Sequence, residues 1–341
     1  MKIYKVGGAV RDKILGRKSM DNDYVVVGSS PNEMKELGYK QIGKDFPVFL
    51  HPSTNEEYAL ARSERKVSLG HKGFDINFNK DITLFEDLKR RDLTINAIAE
   101  DDKGNLIDPY NGVKDIKEKT IKCVSNAFSE DPLRAIRVAR FMAQLDDFTI
   151  HHTTEKELLK IAKSNELKSL PKERVWDETM KSLKCNFLKF LETIKIYKLD
   201  VPWFSKLEYI PKEIQPSSQL ENIWCNISKQ NDYKFGENLL QKKSFFSYLE
   251  VWKQLDVFNE NLNIEKQIKA LSLINSPKYK KLVTSVALYR GMPASFSEMI
   301  DKFNTYDFSR LKKLDSKKII QEKNNIWHDL LLKYNLSTKN E

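Results

Sequence analysis

The spacing of hydrophobic residues changes partway along the 341-residue chain. Before about residue 112, short β-type runs such as DYVVVG, FPVFLH and EEYALAR alternate with turns, and ten of the 12 glycines fall there. From about residue 130, apolar positions recur with the period of an amphipathic helix, as in DPLRAIRVARFMAQL and SFFSYLEVWKQL. Prolines 202, 211 and 216 predict a break inside the helical part. The pattern predicts an α+β head followed by an all-helical remainder.

Composition indicates in which cellular environment the protein is expected. The chain is 40% hydrophobic and contains no run of 18 apolar residues, so we expect no membrane span. Its first residues carry no apolar signal core. The three cysteines are widely spaced and form no CxxC pair, which favours a reducing cytoplasm and argues against a structural zinc site.

The net charge of +10 and the pI of 9.1 indicate a polyanionic partner, with nucleic acid the first candidate. A general preference for lysine is the alternative explanation. The positions of the arginines favour the first explanation of the charge over the second, because nine of the 12 arginines lie before residue 141. That placement indicates a need for rigid, bidentate donors in the first part of the chain.

The first motif is a Gly-Gly turn. KIYKVGG predicts a short strand that enters the turn, and AVRDKIL predicts a helix that buries Val10, Ile14 and Leu15. Backbone N–H groups at such a turn can hold phosphate near Gly8, and Arg11 would add positive charge. An ordinary strand-to-helix turn would look the same in sequence.

The second motif, MDNDYVVVG, places two carboxylates at the start of a strand. Asp21 and Asp23 share a strand face, and they repel each other unless a cation such as Mg²⁺ lies between them. An Asx turn is the alternative, but the nearby Gly-Gly turn favours a nucleoside triphosphate site. A third acid is expected from EEYALAR, with Glu57 the first candidate and Glu56 the second, although either could be an ordinary exposed strand acid.

The third motif is LKRRDLTINAIA at residues 88–99. Arg91 is placed to hold triphosphate oxygens through a forked contact. Asp92 and Asn96 are placed to bind a ribose. A solvated charge cluster is the alternative for such a run.

The fourth motif, EDPLRAIRVARF, repeats a charged residue at every third position. On a helix this spacing makes one polar row, which consists of Asp131, Arg134, Arg137 and Arg140. Asp131 and Arg134, at the beginning of the helix, offer the acceptors and donors that match a base edge. A basic solvent-exposed face is the alternative.

Taken together, VGGAVRD, GRKSMDND, EYALARSER, LKRRDLTINAIA, DPYNG and EDPLRAIRVARF closely resemble the class II tRNA nucleotidyltransferases, the bacterial CCA-adding enzymes. LPKERVWDETMKSL at residues 170–183 is similar to the next helical motif of that family. The resemblance covers residues 1 to about 190, with the motifs in the same order and spacing.

The resemblance implies a polymerase-β-like nucleotidyltransferase head, a mixed sheet with helices, at residues 1–126. An all-α neck with a base-recognition helix would follow at 127–190, then a helical body at 191–270 and a basic tail at 271–341. Longer relatives carry a metal-binding HD domain, but here only His328 follows His152. We therefore expect a short form without phosphodiesterase or phosphatase activity.

The resemblance also assigns roles to single residues. Asp21 and Asp23 match the metal-binding aspartates, and Glu57 lies where a third acid is expected. Gly8, Arg11 and Arg91 match residues that contact the triphosphate, and Arg137 and Arg140 match further nucleotide-binding arginines. Asp131 and Arg134 match the pair that serves as a protein template for CTP and ATP, which agrees with the kinds of side chain that discriminate base edges.

The implied reaction adds C, C and A to the 3′ end of tRNA. The tRNA 3′-hydroxyl attacks the α-phosphate of CTP twice and then of ATP, and pyrophosphate leaves, with Mg²⁺ as cofactor. The helical domains would bind the acceptor arm by backbone and shape. We expect a cytoplasmic protein that is a monomer or a weak oligomer.

Three alternatives remain at this stage. A bacterial poly(A) polymerase shares the head motifs, although QIGKDFPVFLHP and the modest basic tail resemble the CCA enzymes more closely. The second alternative is a CC-only or A-only enzyme. The CC-only case is weakened by a stretch long enough to be the loop linked to A addition, VSLGHKGFDINFNKDITLFED. The third is a non-enzymatic tRNA-binding protein, against which the Asp21/Asp23 pair argues.

Overall fold

The computed structural model describes residues 1–18, 22–42, 48–66, 74–258, 263–309, 311 and 314–337. Asp21, one of the predicted metal ligands, lies outside these residues. The chain divides into two compact units, Met1–Ser205 and Lys206–Glu341.

The first unit contains all the strands and eight of the helices that the structure describes. The strands are β1 (Lys2–Val6), β2 (Asp23–Val27), β3 (Lys40–Gln41), β4 (Val48–Leu50), β5 (Glu57–Leu60), β6 (Ser63–Lys66), β7 (Phe74–Asn77), β8 (Ala99–Glu100), β9 (Leu106–Ile107), β10 (Thr120–Ile121) and β11 (Thr149–Ile150). The helices are α1 (Gly8–Ile14), α2 (Pro31–Glu36), α3 (Leu84–Lys89), α4 (Gly112–Lys117), α5 (Leu133–Gln144), α6 (His152–Ser164), α7 (Lys172–Leu183) and α8 (Phe187–Ile196).

A seven-stranded mixed sheet organises the head. Its order is β3-β4-β5-β2-β1-β8-β9, in which β2 and β5 run parallel while the other neighbouring strands are antiparallel. Side chains alternate between the two faces of a strand, so each face has its own core. Val25 packs with Val6 and Leu88 on one face, whereas Val26 packs with Met34 on the other.

The predicted elements at the start of the chain are confirmed. KIYKV forms β1, DYVVV forms β2, and the helix predicted from AVRDKIL is α1. The helix buries Ala9, Val10 and Arg11, and Ile14 and Leu15 are half-buried. The helix is short, so only its first turn lies deep against the sheet.

Helices α5, α7 and α8 pack together after the sheet. Ile136 and Val138 of α5 are fully buried, as are Val175 of α7 and Leu191 of α8. In α5 the buried positions Leu133, Ile136, Ala139 and Ala143 follow three- and four-residue spacing, which is why the period in DPLRAIRVARFMAQL predicted α5 correctly. The polar row of α5 is thereby turned toward α7.

All the regular secondary structure described in the second unit is helical, as predicted. Its helices are α9 (Leu220–Lys229), α10 (Lys243–Leu255), α11 (Ile264–Ile274), α12 (Lys280–Tyr289), α13 (Ala294–Asn304) and α14 (Ser316–Ser337). Aromatic residues fill its interior, for example Trp327, which is 1% exposed and stacks on Phe303 with ring centroids 3.7 Å apart. The break predicted from prolines 202, 211 and 216 is confirmed, because no helix or strand occurs between α8 and α9.

Together these observations confirm the α+β head and the helical remainder. The finer division at residues 126, 190 and 270 stays a prediction. Among the described helices, none combines the length and the apolar character that a membrane span requires.

Candidate nucleotide-binding and catalytic site

Strand pairing brings the Gly-Gly turn and the acidic motif to the same edge of the sheet. β1 runs antiparallel to β2 with Val6 opposite Asp23, so the turn that follows β1 begins beside the start of β2. Gly7 has a φ of 72°, which favours glycine, and a Cβ there would lie 3.3 Å from Nη1 of Arg91. A larger residue at position 7 would therefore strain the turn and press on Arg91.

Asp23 and Glu57 are direct neighbours across the parallel pair β2/β5. Adjacent strands lie about 4.8 Å apart, and residues in register face the same side of the sheet. Glu56 points to the opposite face, where it accepts hydrogen bonds from Nδ2 of Asn22 (2.8 Å) and from the hydroxyl of Thr54 (2.9 Å). The register therefore favours Glu57 over Glu56 as the acid beside Asp23.

The donor chemistry at this edge suits a hard divalent cation. Asp23 and Glu57 are both exposed and offer carboxylate oxygens, the ligands that Mg²⁺ prefers. Within the ranges that the structure describes, no group of three or more His, Cys, Asp or Glu residues is arranged to hold a metal. The predicted ligand Asp21 lies outside those ranges, so the Asp21/Asp23 pair stays a prediction.

A cleft of about 700 Å³ opens beside Asp23 and is lined mostly by charged side chains. Nine of its lining residues are basic and five are acidic. The basic residues are Arg11, Arg62, Arg90, Arg91, Arg134, Arg137, Arg140, Arg174 and Lys181, and the acidic ones are Asp23, Asp92, Asp131, Asp177 and Glu178. This excess of positive charge suits an anionic ligand.

Arg90 and Arg91 are both held by one buried carboxylate. Asp87 of α3 is fully buried, with its Oδ1 2.6 Å from Nη2 of Arg90 and its Oδ2 3.0 Å from Nη2 of Arg91. Burial by itself would raise the pKa of Asp87, but the two guanidinium groups outweigh it and lower the pKa. Arg91 is thus fixed in orientation where it lines the cleft, and the charge cluster KRRD is not simply solvated.

A chain of hydrogen bonds joins α1 to α5 across the bottom of the cleft. Arg11 donates to Oδ1 of Asn96 at 2.7 Å, and Asn96 in turn donates to Oδ1 of Asp92 at 3.1 Å. The other oxygen of Asp92 lies 2.7 Å from Nη2 of Arg137. Arg11, Asp92 and Asn96 are all buried, so the structure shows them bonded to one another. Their contacts to phosphate and ribose stay predictions.

The arginines of α5 face the protein and the cleft, so the alternative of a basic solvent-exposed face is wrong. Arg134 is 9% exposed and donates to the carbonyl oxygens of Ala127 (3.0 Å) and Arg90 (2.6 Å). Arg140 donates to Oε1 of Gln144 at 3.0 Å. The row predicted by three-residue spacing is real, and it lines the cleft.

Asp131 is not part of the helix, which corrects the prediction that it begins α5. It is extended, with φ −110° and ψ 104°, and α5 begins at Leu133. Its Oδ1 accepts the backbone N–H of Leu133 at 3.0 Å, and its Oδ2 lies 3.3 Å from Nη2 of Arg174. Since Pro132 separates it from the helix, Asp131 satisfies a backbone donor of the first turn, as a capping residue does.

Glu178 of α7 is a member of the site that the sequence did not single out. It is 4% exposed, forms ion pairs with Arg140 and with Arg137 (3.4 Å), and lies 3.6 Å from Nζ of Lys181. Burial would raise the pKa of Glu178, but Arg140 and Arg137 lower it. The signal that marks it is the polar row Arg174, Glu178 and Lys181, which follows helical spacing along α7.

The buried carboxylates predict a loss of stability in acid. Asp87, Asp92 and Glu178 all have pKa values below their ordinary ones, 3.8 for Asp and 4.5 for Glu. The unfolded chain therefore binds protons first, so this stabilisation is complete above about pH 5 and is lost as the pH falls through and below 4.

The expected result is that the free energy of unfolding of the whole chain, measured with urea at a series of pH values, falls steeply below about pH 4. Glu178→Gln removes one titrating group, so its stability should be lower at neutral pH but should depend less on pH. Equal slopes for the variant and the unmodified protein would contradict the role of Glu178.

Residues 3–122 match the family model described as the poly A polymerase head domain. The chain is 59% identical over 185 residues to a multifunctional CCA protein of Shewanella frigidimarina, with 54% of this chain and 45% of that protein covered. It is 52% identical over 212 residues to a CCA-adding enzyme of Alteromonas mediterranea, with 61% and 53% covered. The chain thus spans about half the length of the curated relatives it matches.

The fold is similar to a solved structure over nearly its whole length. The crystal structure of the Bacillus stearothermophilus CCA-adding enzyme in complex with CTP superimposes with a TM-score of 0.67 at 20% identity, and covers 99% of this chain and 94% of that one. At this identity the likeness shows the shared fold. Through its N-terminal half, the chain is therefore similar to the poly A polymerase head domain and to relatives named multifunctional CCA protein and CCA-adding enzyme.

Proposed function

We propose that this protein is a CCA tRNA nucleotidyltransferase, which adds C, C and A to the tRNA 3′ end from CTP and ATP and releases pyrophosphate. The observation that carries the proposal is a single cleft in which an arginine-rich wall, suited to a triphosphate, adjoins the carboxylate edge of the sheet at Asp23. The names of the relatives, a multifunctional CCA protein and a CCA-adding enzyme, support it.

The proposed roles divide the cleft into a phosphate side and a base side. Backbone N–H groups near Gly8 and the guanidinium groups of Arg11, Arg91, Arg137 and Arg140 hold the triphosphate. Asp92 and Asn96 line the cleft between Arg11 and Arg137, and their role is to bind the ribose. Asp131 and Arg134 face the base.

The base side is supported by the chemistry of its groups. Arg134 uses two of its five N–H donors on backbone carbonyls, so others remain for a base edge. The carboxylate of Asp131 offers acceptors, and an acceptor is what the amino groups of cytosine and adenine require. Protein side chains thus take the place of a nucleic-acid template.

Asp21 and Asp23 are the proposed Mg²⁺ ligands, with Glu57 as the third acid. A divalent cation bound there stabilises the charge of the transferring phosphoryl group and favours deprotonation of the attacking hydroxyl. The chain's own contribution is positional, because the sheet edge fixes Asp23 beside the glycine turn and the arginine wall fixes the phosphates.

The proposed macromolecular partner is the acceptor arm and 3′ end of tRNA. Residues 271–341 contain 13 Lys and Arg against seven Asp and Glu, which suits contacts to phosphate. We propose that the protein works in the cytoplasm as a monomer or weak oligomer. The three cysteines are free, which agrees with a reducing environment.

tRNA affinity is expected to fall steeply as salt rises, because each phosphate contact contributes about −0.7 to −0.9 to the slope of log affinity against log salt concentration. Filter binding of tRNA between about 50 and 200 mM salt measures this slope. A flat response over that range would show that the positive charge serves another purpose.

A poly(A) polymerase is the second candidate, and the description of the matched head-domain family favours it. The same head motifs serve both activities, so the product decides between them. A CC-only or A-only enzyme and a non-enzymatic tRNA-binding protein are distinguished by the same measurement.

The deciding experiment offers tRNA transcripts that end before the CCA to the purified protein with CTP, ATP, both or neither. Products are read at single-nucleotide resolution. Addition of C, C and A with both nucleotides supports the proposal. A long A tail with ATP alone indicates a poly(A) polymerase, a stop after two residues a CC-adding enzyme, and no addition a binding protein.

A further inference from the structure

The cleft contains one aromatic ring that contacts three of its arginines. Phe141 of α5 is 2% exposed and lines the cleft. The guanidinium carbons of Arg140, Arg11 and Arg137 lie over its ring at 3.8, 5.3 and 5.6 Å from the centroid. All three distances fall within the range of a cation–π interaction.

These three arginines come from two helices that are far apart in sequence, α1 and α5. Without an anion, three like charges around one point repel each other. Acidic partners offset part of this repulsion, namely Asp12 for Arg11, Asp92 for Arg137 and Glu178 for Arg140. Glu178 also pairs with Arg137, so these acids each reach one or two of the arginines, whereas the ring contacts all three.

The position of Arg140 shows why a ring matters here. Burial lowers the pKa of Arg140, which reflects the cost of placing a cation away from water, and Glu178 offsets that effect. Its guanidinium lies 3.8 Å from the ring centroid, and the negative face of the ring attracts it there. An aliphatic side chain of similar size would pack but would supply no such attraction.

We propose that Phe141 is a positioning residue for nucleotide binding, whose ring electrostatics hold Arg11, Arg137 and Arg140 together so that they meet the triphosphate as a preformed clamp. This rests on the proposed function of the cleft. Preorganisation raises affinity because the free energy needed to bring the three guanidinium groups together has already been spent when the nucleotide binds. The ring acts on the phosphate side, so CTP and ATP should depend on it equally.

The test changes the electrostatics of the ring with little change in its size. Phe141 is replaced by phenylalanine with one, two and three ring fluorines, which progressively weaken the negative face, and CTP and ATP affinities are measured by calorimetry on the whole chain. We expect a stepwise loss for both nucleotides that reaches about tenfold at three fluorines. Phe141→Leu should lose at least as much.

Phe190 supplies the matched control. It is fully buried in the same unit, and its ring contacts are with the rings of Phe187 and Phe204, each with centroids 5.4 Å away. Three fluorines at Phe190 should leave both affinities unchanged. An equal loss at Phe190 would show that fluorination acts through general packing and would overturn the proposal.

Two further outcomes would also overturn it. CTP and ATP affinities that stay flat across the Phe141 series would show that the ring only fills space. A loss confined to one nucleotide would place the ring's effect on the base. If the unmodified protein binds neither CTP nor ATP, the proposed function fails and this inference fails with it. If it binds them and the affinities do not change across the fluorinated Phe141 variants, only the role of Phe141 is overturned.

Discussion

Asp23→Ala is expected to abolish nucleotide addition and to leave tRNA binding largely intact. Asp23 lies at the carboxylate edge of the cleft and is the in-register neighbour of Glu57. Loss of a metal ligand removes several kcal/mol of transition-state stabilisation, and about 4 kcal/mol corresponds to a rate lower by about a thousandfold. Asp21→Ala should have the same effect. Single-turnover addition of CTP to tRNA measures the rate, and filter binding measures tRNA affinity.

Glu100→Ala is the matched control for this loss. Glu100 is a carboxylate of the same sheet, and Lys13 forms an ion pair with it at 2.8 Å. Its removal should leave addition near normal, since a half-exposed ion pair of this kind contributes little. Near-normal addition by Asp23→Ala would show that the metal assignment is wrong. Binding of Mn²⁺ to the unmodified protein, lost in Asp23→Ala, would provide an independent readout.

Arg134→Ala is expected to change which nucleotide is added, whereas Arg91→Ala should slow all nucleotides in proportion. A phosphate contact does not depend on base identity, but a good bidentate base contact is worth about 1–3 kcal/mol of discrimination, or about 5- to 150-fold. Arg134→Ala should therefore admit UTP or GTP, or alter the ratio of CTP to ATP. The measurement is kcat/KM for all four triphosphates on tRNA that ends before the CCA.

The contacts of Arg134 require a second variant. Its guanidinium also satisfies the carbonyl oxygens of Ala127 and Arg90, so Arg134→Ala leaves buried acceptors unpaired and should lower the free energy of unfolding by about 1–3 kcal/mol. Arg134→Lys keeps the charge but loses the planar fork. We expect Arg134→Lys, like Arg134→Ala, to relax the selectivity among the four nucleotides. If both variants lower every nucleotide by the same factor, the arginine row is an anion clamp and the template role is wrong.

The sequence by itself determined the features that depend on local pattern. The strand DYVVV, the helix after the Gly-Gly turn and α5 were all predicted, because strand alternation and helical period are properties of neighbouring residues. The polar row of Arg134, Arg137 and Arg140 was also predicted from its spacing. The three-residue period alone placed Asp131 in the helix, although Pro132 in the sequence argues against it, because a residue before proline is disfavoured in the helical conformation.

The tertiary structure decided which of these charges meet. Glu57 is favoured over Glu56 by the register of β2 against β5, which pairs residues 34 positions apart in the sequence, Asp23 and Glu57. Glu178 joins the site because α7 packs against α5, and Arg137 bridges it to Asp92. The partner of a buried charge is set by the packing of elements distant in sequence, since burial is tolerated only where an opposite charge lies within reach. No period along the chain encodes that distance, so the sequence indicated most of the candidate site residues, and the fold determined their pairing and added Glu178.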